Sequence, residues 1–321
     1  MGKYAIRRVL VMIPTFFIIT MIIFLLVNIT PGDPLLQMMD PEAARSVTPE
    51  QMEEKRKELG LDKPLPVRYV IWMGEALRGN LGYSYNSRQP VVDVVAEKLV
   101  NTVKLMGTAF LFALVIGIPV GIISAVKQYS FWDYLVTSLS FFLMAMPAFF
   151  FAMVLIYIFS LKLGWFPTGG MSALGRENSF LDTLWYLALP AGMLGFKDAG
   201  MWARYTRSSM LEVLHNEYIV TARSKGLYDR VILYRHALPN ALSPLITLFG
   251  LMLPNLIAGA VVTENVFAWP GIGKLAVEAI QQRDYPVLMG VTSLTAVAVL
   301  ASNFLADLLY SVADPRIRVE R

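Results

Sequence analysis

The sequence predicts an all-α polytopic membrane protein, with six transmembrane helices and a helical extracytoplasmic segment between the first and the second. Three observations carry this expectation. Of 321 residues, 56% are hydrophobic and only 16% are charged, where soluble domains run about half apolar and about a quarter charged. Five runs of 22 to 28 residues contain no Asp, Glu, Lys or Arg, and a spanning helix needs about 20 mostly apolar residues. Basic residues cluster at both chain ends, at Lys3, Arg7 and Arg8 and at Arg316, Arg318 and Arg321. Positive charge marks the cytoplasmic side, so both termini are expected inside and the number of spans is even.

The same composition excludes disorder, collagen and a charged coiled coil. With no cysteine, disulfides, thiolate metal sites and thiol nucleophiles are excluded. Two histidines, His215 and His236, leave little for a histidine metal centre. The net charge of +4 fits basic cytoplasmic loops rather than nucleic-acid binding.

Taken in order, the spans are expected at 9–29, 103–126, 135–160, 184–203, 244–263 and 287–308. Thr30-Pro31-Gly32-Asp33-Pro34 ends the first with helix breakers, and no small-x-small site follows to make it a cleaved signal peptide. The fourth rests on parity, because its uncharged run between Asp182 and Lys197 has only 14 residues. Extending it to 203 puts Lys197 near an interface, where it can snorkel. Asp307, the one acid near the inner end of the last span, reads as a locally paired carboxylate rather than a proton carrier.

Three connecting segments stand out. Residues 30–102 carry nine basic and eleven acidic residues and look water-soluble. Helices are expected from Thr48-Pro49-Glu50 to Leu59, stopped by Gly60, then from Pro66 to Leu77, and from Pro90 to Leu99 leading into the second span. The segment is a small helical cap or a contact for a partner. Residues 204–243 hold six Lys or Arg against three acids and are expected inside. Helical composition from Glu212 to Ser224 is broken by Gly226, and a second helix is expected from Leu227 to Leu238, ended by Pro239. Such a unit is either an interfacial helix pair or a docking element. Residues 264–286, expected outside, contain Phe267-Ala268-Trp269-Pro270-Gly271-Ile272-Gly273, a short helix from Val277 to Gln282, and Asp284-Tyr285-Pro286. Their aromatics read as a membrane-interface belt or a contact surface.

Catalytic motifs are missing. Gly273-Lys274 is not a phosphate-binding loop, because Ala268 and Leu275 occupy positions that require Gly and Ser or Thr. No zinc-protease or serine-hydrolase signature occurs. No catalytic, cofactor or metal residues are assigned.

Thr221-Ala222-Arg223-Ser224-Lys225-Gly226-Leu227, followed by Arg235-His236-Ala237-Leu238-Pro239-Asn240-Ala241-Leu242, resembles the cytoplasmic "EAA" loop of binding-protein-dependent ABC importer permeases, E-A-A-x-x-x-G-x9-I-x-L-P. Gly226 fits the glycine and Leu238-Pro239 the final pair, while Val220 stands where the glutamate would be and His236 replaces the isoleucine. Those departures resemble the peptide-permease branch. So do Pro31-Gly32-Asp33-Pro34, Leu59-Gly60-Leu61-Asp62, Leu81-Gly82-Tyr83-Ser84, Val266 to Gly273, Arg283-Asp284-Tyr285-Pro286 and Asp314-Pro315-Arg316-Ile317-Arg318. In order, these motifs are similar to the B-type permease subunit of dipeptide and oligopeptide importers.

The resemblance implies an ABC importer permease fold in the cell membrane. The first helix is 1–29, the extracytoplasmic segment 30–102, the transmembrane domain 103–310 and the cytoplasmic tail 311–321. It implies an ATPase-docking loop within 204–243 that uses Glu217, Thr221, Ala222, Arg223, Lys225, Gly226, Leu227, Leu238 and Pro239. An external loop, 264–286, would face the binding protein or the pathway through Phe267, Trp269, Pro270, Gly271, Gly273, Asp284 and Tyr285. The implied partners are a second homologous permease, two cytoplasmic ATPases holding ATP and magnesium, an extracytoplasmic substrate-binding protein and lipid. No nucleic acid is implied, and this chain itself would bind no cofactor. Peptide cargo is implied, with nickel chelates or oligosaccharides as alternatives on the same fold. An ion-coupled secondary transporter is the distant alternative, disfavoured by the scarcity of intramembrane acids.

Overall fold

The computed structural model describes residues 2–29, 48–58, 60–176 and 179–313. Pro31-Gly32-Asp33-Pro34, Leu59 and Asp314-Pro315-Arg316-Ile317-Arg318 lie outside the described residues. Twelve helices are present among those described: α1 Gly2–Ile29, α2 Pro49–Glu58, α3 Leu65–Leu77, α4 Val91–Val126, α5 Phe131–Ala145, α6 Ala148–Lys162, α7 Phe180–Leu214, α8 Glu217–Ser224, α9 Asp229–Ala258, α10 Val261–Val266, α11 Ile272–Gln281 and α12 Tyr285–Ala313. The only β pairing described is a single bridge between Tyr83 and Pro90.

By length and apolarity α1, α4, α9 and α12 are able to cross a membrane, and the bent pair α5–α6 makes a fifth candidate. The expected third span, 135–160, is thus broken rather than straight. Its halves meet at 106°, because Met146 precedes Pro147 and is held extended, at φ −72° and ψ 128°. The expected fourth span, 184–203, lies inside α7. That helix carries Lys197, Asp198, Arg204 and Arg207 and falls short of the same apolar criterion.

Helix α7 runs parallel to α4 in close contact. A Cβ on Gly195 would lie 2.9 Å from the Ala109 carbonyl oxygen, one on Gly117 2.8 Å from that of Ala199, and one on Gly121 2.5 Å from that of Ala203. Small residues one turn apart let two backbones approach without side chains between them, the usual packing device inside a bilayer. Trp202 then fills the space beside them, 1% exposed and edge-on to Phe110 at 5.8 Å.

Helices α1 and α12 pack antiparallel. At one end Arg8 donates to Asp307 at 2.8 Å. At the other, Phe24, Val27 and Asn28 share a cavity wall with Tyr285, Pro286 and Met289. Asp307 is paired, as its sequence context suggests, with a partner almost the whole chain away.

Three more boundaries differ from expectation. The segment 212–224 is not one helix: α7 stops at Leu214, and Asn216, extended at ψ 146°, starts α8. The helix after Gly226 does not end at Pro239 but continues to Ala258. Widened π-type turns at Ile232–Ala237 precede the proline, which removes the need for the hydrogen bond that a proline cannot donate. The fifth span, expected to 263, stops at Ala258 because Gly259 turns left-handed at φ 78°. The 30–102 segment is not uniformly water-facing either. Its charges gather in α2, whereas α3 is apolar and lies on α1, with the Tyr69 hydroxyl donating to the Phe17 carbonyl at 3.1 Å.

Candidate functional site: a helix–glycine–helix loop and the segment at the opposite end

The loop between α7 and α9 is built around one turn. The Gly226 N–H donates to Arg223 O at 2.9 Å and the Leu227 N–H to Ala222 O at 3.4 Å. This paired pattern is the one that closes a helix with a left-handed residue after its cap. Gly226 occupies that residue at φ 76°, where a side chain is strained.

Which face of α8 points inward follows from spacing. Ile219 and Ala222, three apart, are buried with Ala125, Met210, Val213, Ile232, Ala237 and Ala241 in one apolar cluster. Ala222 therefore serves this chain's own packing, and its small size fits α8 against α9 rather than against a partner. Leu238 is half-buried on the edge of that cluster. Thr221, Arg223, Lys225, Leu227 and Pro239 are exposed, as is Glu217, whose carbonyl accepts from the Thr221 hydroxyl at 3.0 Å. Arg223 approaches Asp229 only to 3.9 Å, with both side chains exposed. An exposed pair of this kind holds little energy.

Sequence reasoning missed the apolar part of this outer ridge. Tyr218, Val220 and Tyr228 are exposed, Tyr228 to 83%. The signal was available for Val220, which shares with Glu217, Thr221 and Ser224 the helical face opposite Ile219 and Ala222. It also missed a clamp behind the loop. Asp133 accepts from Arg207 Nε and Nη2 at 2.7 and 2.8 Å, from the Tyr129 N–H at 2.9 Å and from the Ser124 hydroxyl. The clamp ties α4, α5 and α7 together, with a bidentate geometry that only arginine supplies.

At the other end of α4 the expected external contacts turn inward. Phe267 is 1% exposed and Trp269 is fully buried, its indole N–H donating to Asn101 O at 2.9 Å. The centre of the segment is Glu264, also fully buried. Its carboxylate accepts from the N–H groups of Gly273 at 2.7 Å and Lys274 at 3.1 Å and from the Thr102 hydroxyl at 2.8 Å. These two N–H groups open α11, so an anion sits where the helix start favours one. A Cβ on Gly271 would meet the Glu264 carboxyl at 2.5 Å, which accounts for the glycine at that position. Asp284, 3% exposed, accepts from the Ser84 hydroxyl at 2.6 Å and the Asn86 N–H at 3.3 Å, and Tyr285 beside it is 8% exposed. Pro270 is half-buried and Gly273 buried. Of the seven residues expected to face a partner here, none is exposed. An aromatic and glycine-rich motif reads equally as surface or as core, and only the position of Glu264 discriminates.

Long apolar helices, tightly packed through small residues and carrying a helix–turn–helix at one end, define a polytopic α-helical membrane protein. Two solved structures of the MetNI methionine ABC transporter in inward-facing conformations share this fold. They align at TM-scores of 0.54 and 0.56 with 17% and 18% identity, over 69% of this chain and 96% of theirs. Residues 117–319 match the family described as binding-protein-dependent transport system inner membrane component, and residues 1–106 match its N-terminal membrane component; the chain belongs to that family. Among its relatives are the oligopeptide transport system permease protein AppB of Bacillus subtilis, 45% identical over 99% of both chains, and the di/tripeptide transport system permease protein DppB of Pseudomonas aeruginosa, 41% identical over 100% of both. The dipeptide transport system permease protein DppB of Escherichia coli K12 is 38% identical over 99% of both.

Proposed function

We propose that this chain is the transmembrane permease subunit of an ATP-driven importer of dipeptides or oligopeptides, forming half of the translocation pathway beside a second, homologous permease. The observation that carries the coupling role is the exposed ridge of α8 and its Gly226 turn. Its inner face is locked into the chain's own core, so a push on the outer face moves α4, α7 and α9 together. Arg223 and Lys225 offer cationic contacts to a cytoplasmic ATPase, and Tyr218 and Tyr228 offer apolar ones. The peptide cargo rests on the names of the relatives.

Six spans with both termini inside remain the reading that fits best. Helix α7 accompanies α4 in the same direction from Ala109 to Gly121 and beyond, to the Ala125–Met210 cluster, which supports α7 as a full span. The Arg8–Asp307 pair joins the start of α1 to the end of α12, which supports an even number of crossings. The docking loop then lies on the cytoplasmic side and the Glu264 segment outside, near an extracytoplasmic binding protein. Partner ATPases hold ATP and magnesium. Reversing a 1:99 equilibrium between two pathway conformations takes about 5.5 kcal/mol of differential binding, and those partners supply it.

The test is ATPase stimulation of the reconstituted complex by its binding protein loaded with dipeptides, longer peptides, a nickel chelate or an oligosaccharide. Stimulation and uptake with a peptide class is the expected result. Stimulation by nickel or sugar alone moves the cargo, and failure of any ATPase to associate removes the docking role. Separately, Gly226→Val is expected to lower ATPase co-purification several-fold while leaving membrane insertion intact. A β-branched side chain at this φ costs about 1–2 kcal/mol and misaims the turn. Unchanged co-purification would end the assignment of Gly226.

A further inference from the structure

A cavity lies at the end of the molecule opposite the Arg8–Asp307 pair, between α1, α3 and α12. It measures about 620 Å³. Its walls divide by chemistry. Phe24, Val27, Ile71, Trp72 and Met289 form an apolar part, and Lys57, Lys63 and Arg68 form a cationic part. None of these three cations has an ion-pair or hydrogen-bond partner among the described residues. The one acid in the lining, Glu75, is engaged by Arg78 at 3.2 Å and Asn80 at 3.0 Å. Tyr85 adds a neutral hydroxyl donor: burial first, and then the charge of Asp284, pushes it up to about 12.

Depth decides what reaches this cavity. Arg8 and Asn28 are twenty residues apart on α1, about 30 Å at 1.5 Å per residue, which is one hydrocarbon thickness. Tyr69 of α3 bonds to Thr20 and Phe17, about 12 to 16 Å inward from Asn28 on the same rise. Helix α3 therefore lies within the leaflet opposite the termini. It turns Val67, Val70, Ile71 and Leu77 outward, exposed by 44%, 67%, 48% and 69%. Apolar side chains at that depth face acyl chains, and long cationic side chains beside them rise to the headgroup level.

We propose that this cavity binds an anionic phospholipid, its phosphate held by Lys57, Lys63 and Arg68 and its acyl chains laid along the exposed face of α3. A freely diffusing anion has no use for the apolar wall, and a zwitterionic lipid leaves the three cations uncompensated. The bound lipid would fill the space between the first helix and the bundle and hold α3 against α1.

The experiment uses the assembled importer, purified in mild detergent and exposed to equal amounts of phosphatidylglycerol and phosphatidylcholine, with bound lipid counted by native mass spectrometry. Excess phosphatidylglycerol is expected on the unaltered complex. That excess should fall at least fivefold in the combined Lys57→Gln, Lys63→Gln, Arg68→Gln variant and stay unchanged in Lys55→Gln, which alters a neighbouring cation outside the cavity. Should the triple variant fail to assemble, Lys63→Gln alone, an exposed residue, is expected to lower the excess at least twofold. Equal retention in the cavity variants overturns the proposal. Displacement of lipid by 10 mM inorganic phosphate, on the order of ten-thousandfold above a micromolar site, would overturn it in favour of a free anion. Displacement by a dipeptide would overturn it in favour of the cargo.

Discussion

Replacing Glu264 with alanine is expected to remove about 3–5 kcal/mol of stability, because a buried acceptor is lost while its donors stay in place. The N–H groups of Gly273 and Lys274 and the hydroxyl of Thr102 all point at this one carboxylate, and each buried donor left unpaired costs about 1–3 kcal/mol. The Thr102 hydroxyl also accepts from the Ile272 N–H at 2.8 Å, so some of the network survives. Thermal unfolding of the purified complex checks this, with yield of assembled protein as a second readout. Glu264→Gln keeps the volume and one acceptor oxygen, and is expected to lose about 1–3 kcal/mol, less than alanine. Thr102→Ser is expected to be tolerated and Thr102→Val is not. A Glu264→Ala complex as stable as the unaltered one would show that the carboxylate does not organise this segment.

The second large effect is expected at Gly121. Leucine there would drive a side chain into the backbone carbonyl of Ala203, which a first carbon already approaches to 2.5 Å. Backbone does not swing aside as a side chain does, so α4 and α7 must part. Over-packing costs about 1–3 kcal/mol in ordinary cores, and the rigid neighbour here puts the loss at or above the upper end. Two glycines on the same helices serve as controls, because nothing lies within 4 Å of a Cβ on Gly107 or Gly192. Alanine at either position is expected to leave assembly unchanged. Equal loss at Gly121 and Gly107 would mean that membrane insertion, not helix packing, is the sensitive step.

The two substitutions probe opposite ends of the bundle. Gly121 lies toward the end that carries the α8 loop, where α4 and α7 are in backbone contact. Glu264 lies at the other end, where it anchors the Phe267–Gly273 segment against the start of α4 through Trp269 and Asn101. Arg207 on Asp133 secures the loop end in the same manner. Buried charged and hydrogen-bonded groups thus fix geometry at both ends, and small-residue contacts join α4 to α7 between them.

The sequence by itself determined the class and most of the span positions. Charge-free runs longer than the hydrocarbon is thick leave no soluble alternative, and Pro49, Gly60, Pro90 and Gly226 each start or stop helices near where local sterics say they must. The turn between α8 and α9 was legible too, since Gly226 breaks the helical pattern and takes the left-handed conformation that closes α8. Tertiary structure alone decided the rest. Whether α7 keeps company with α4 depends on small residues meeting small residues 80 positions away, and no local hydropathy window registers that. Pro239 was absorbed by widened turns that its own neighbourhood does not announce. Phe267, Trp269 and Asp284 went inward because Glu264, Thr102 and Ser84 converge on them from distant segments. A residue's type states what it can contact, but its burial depends on which partners the chain brings to it.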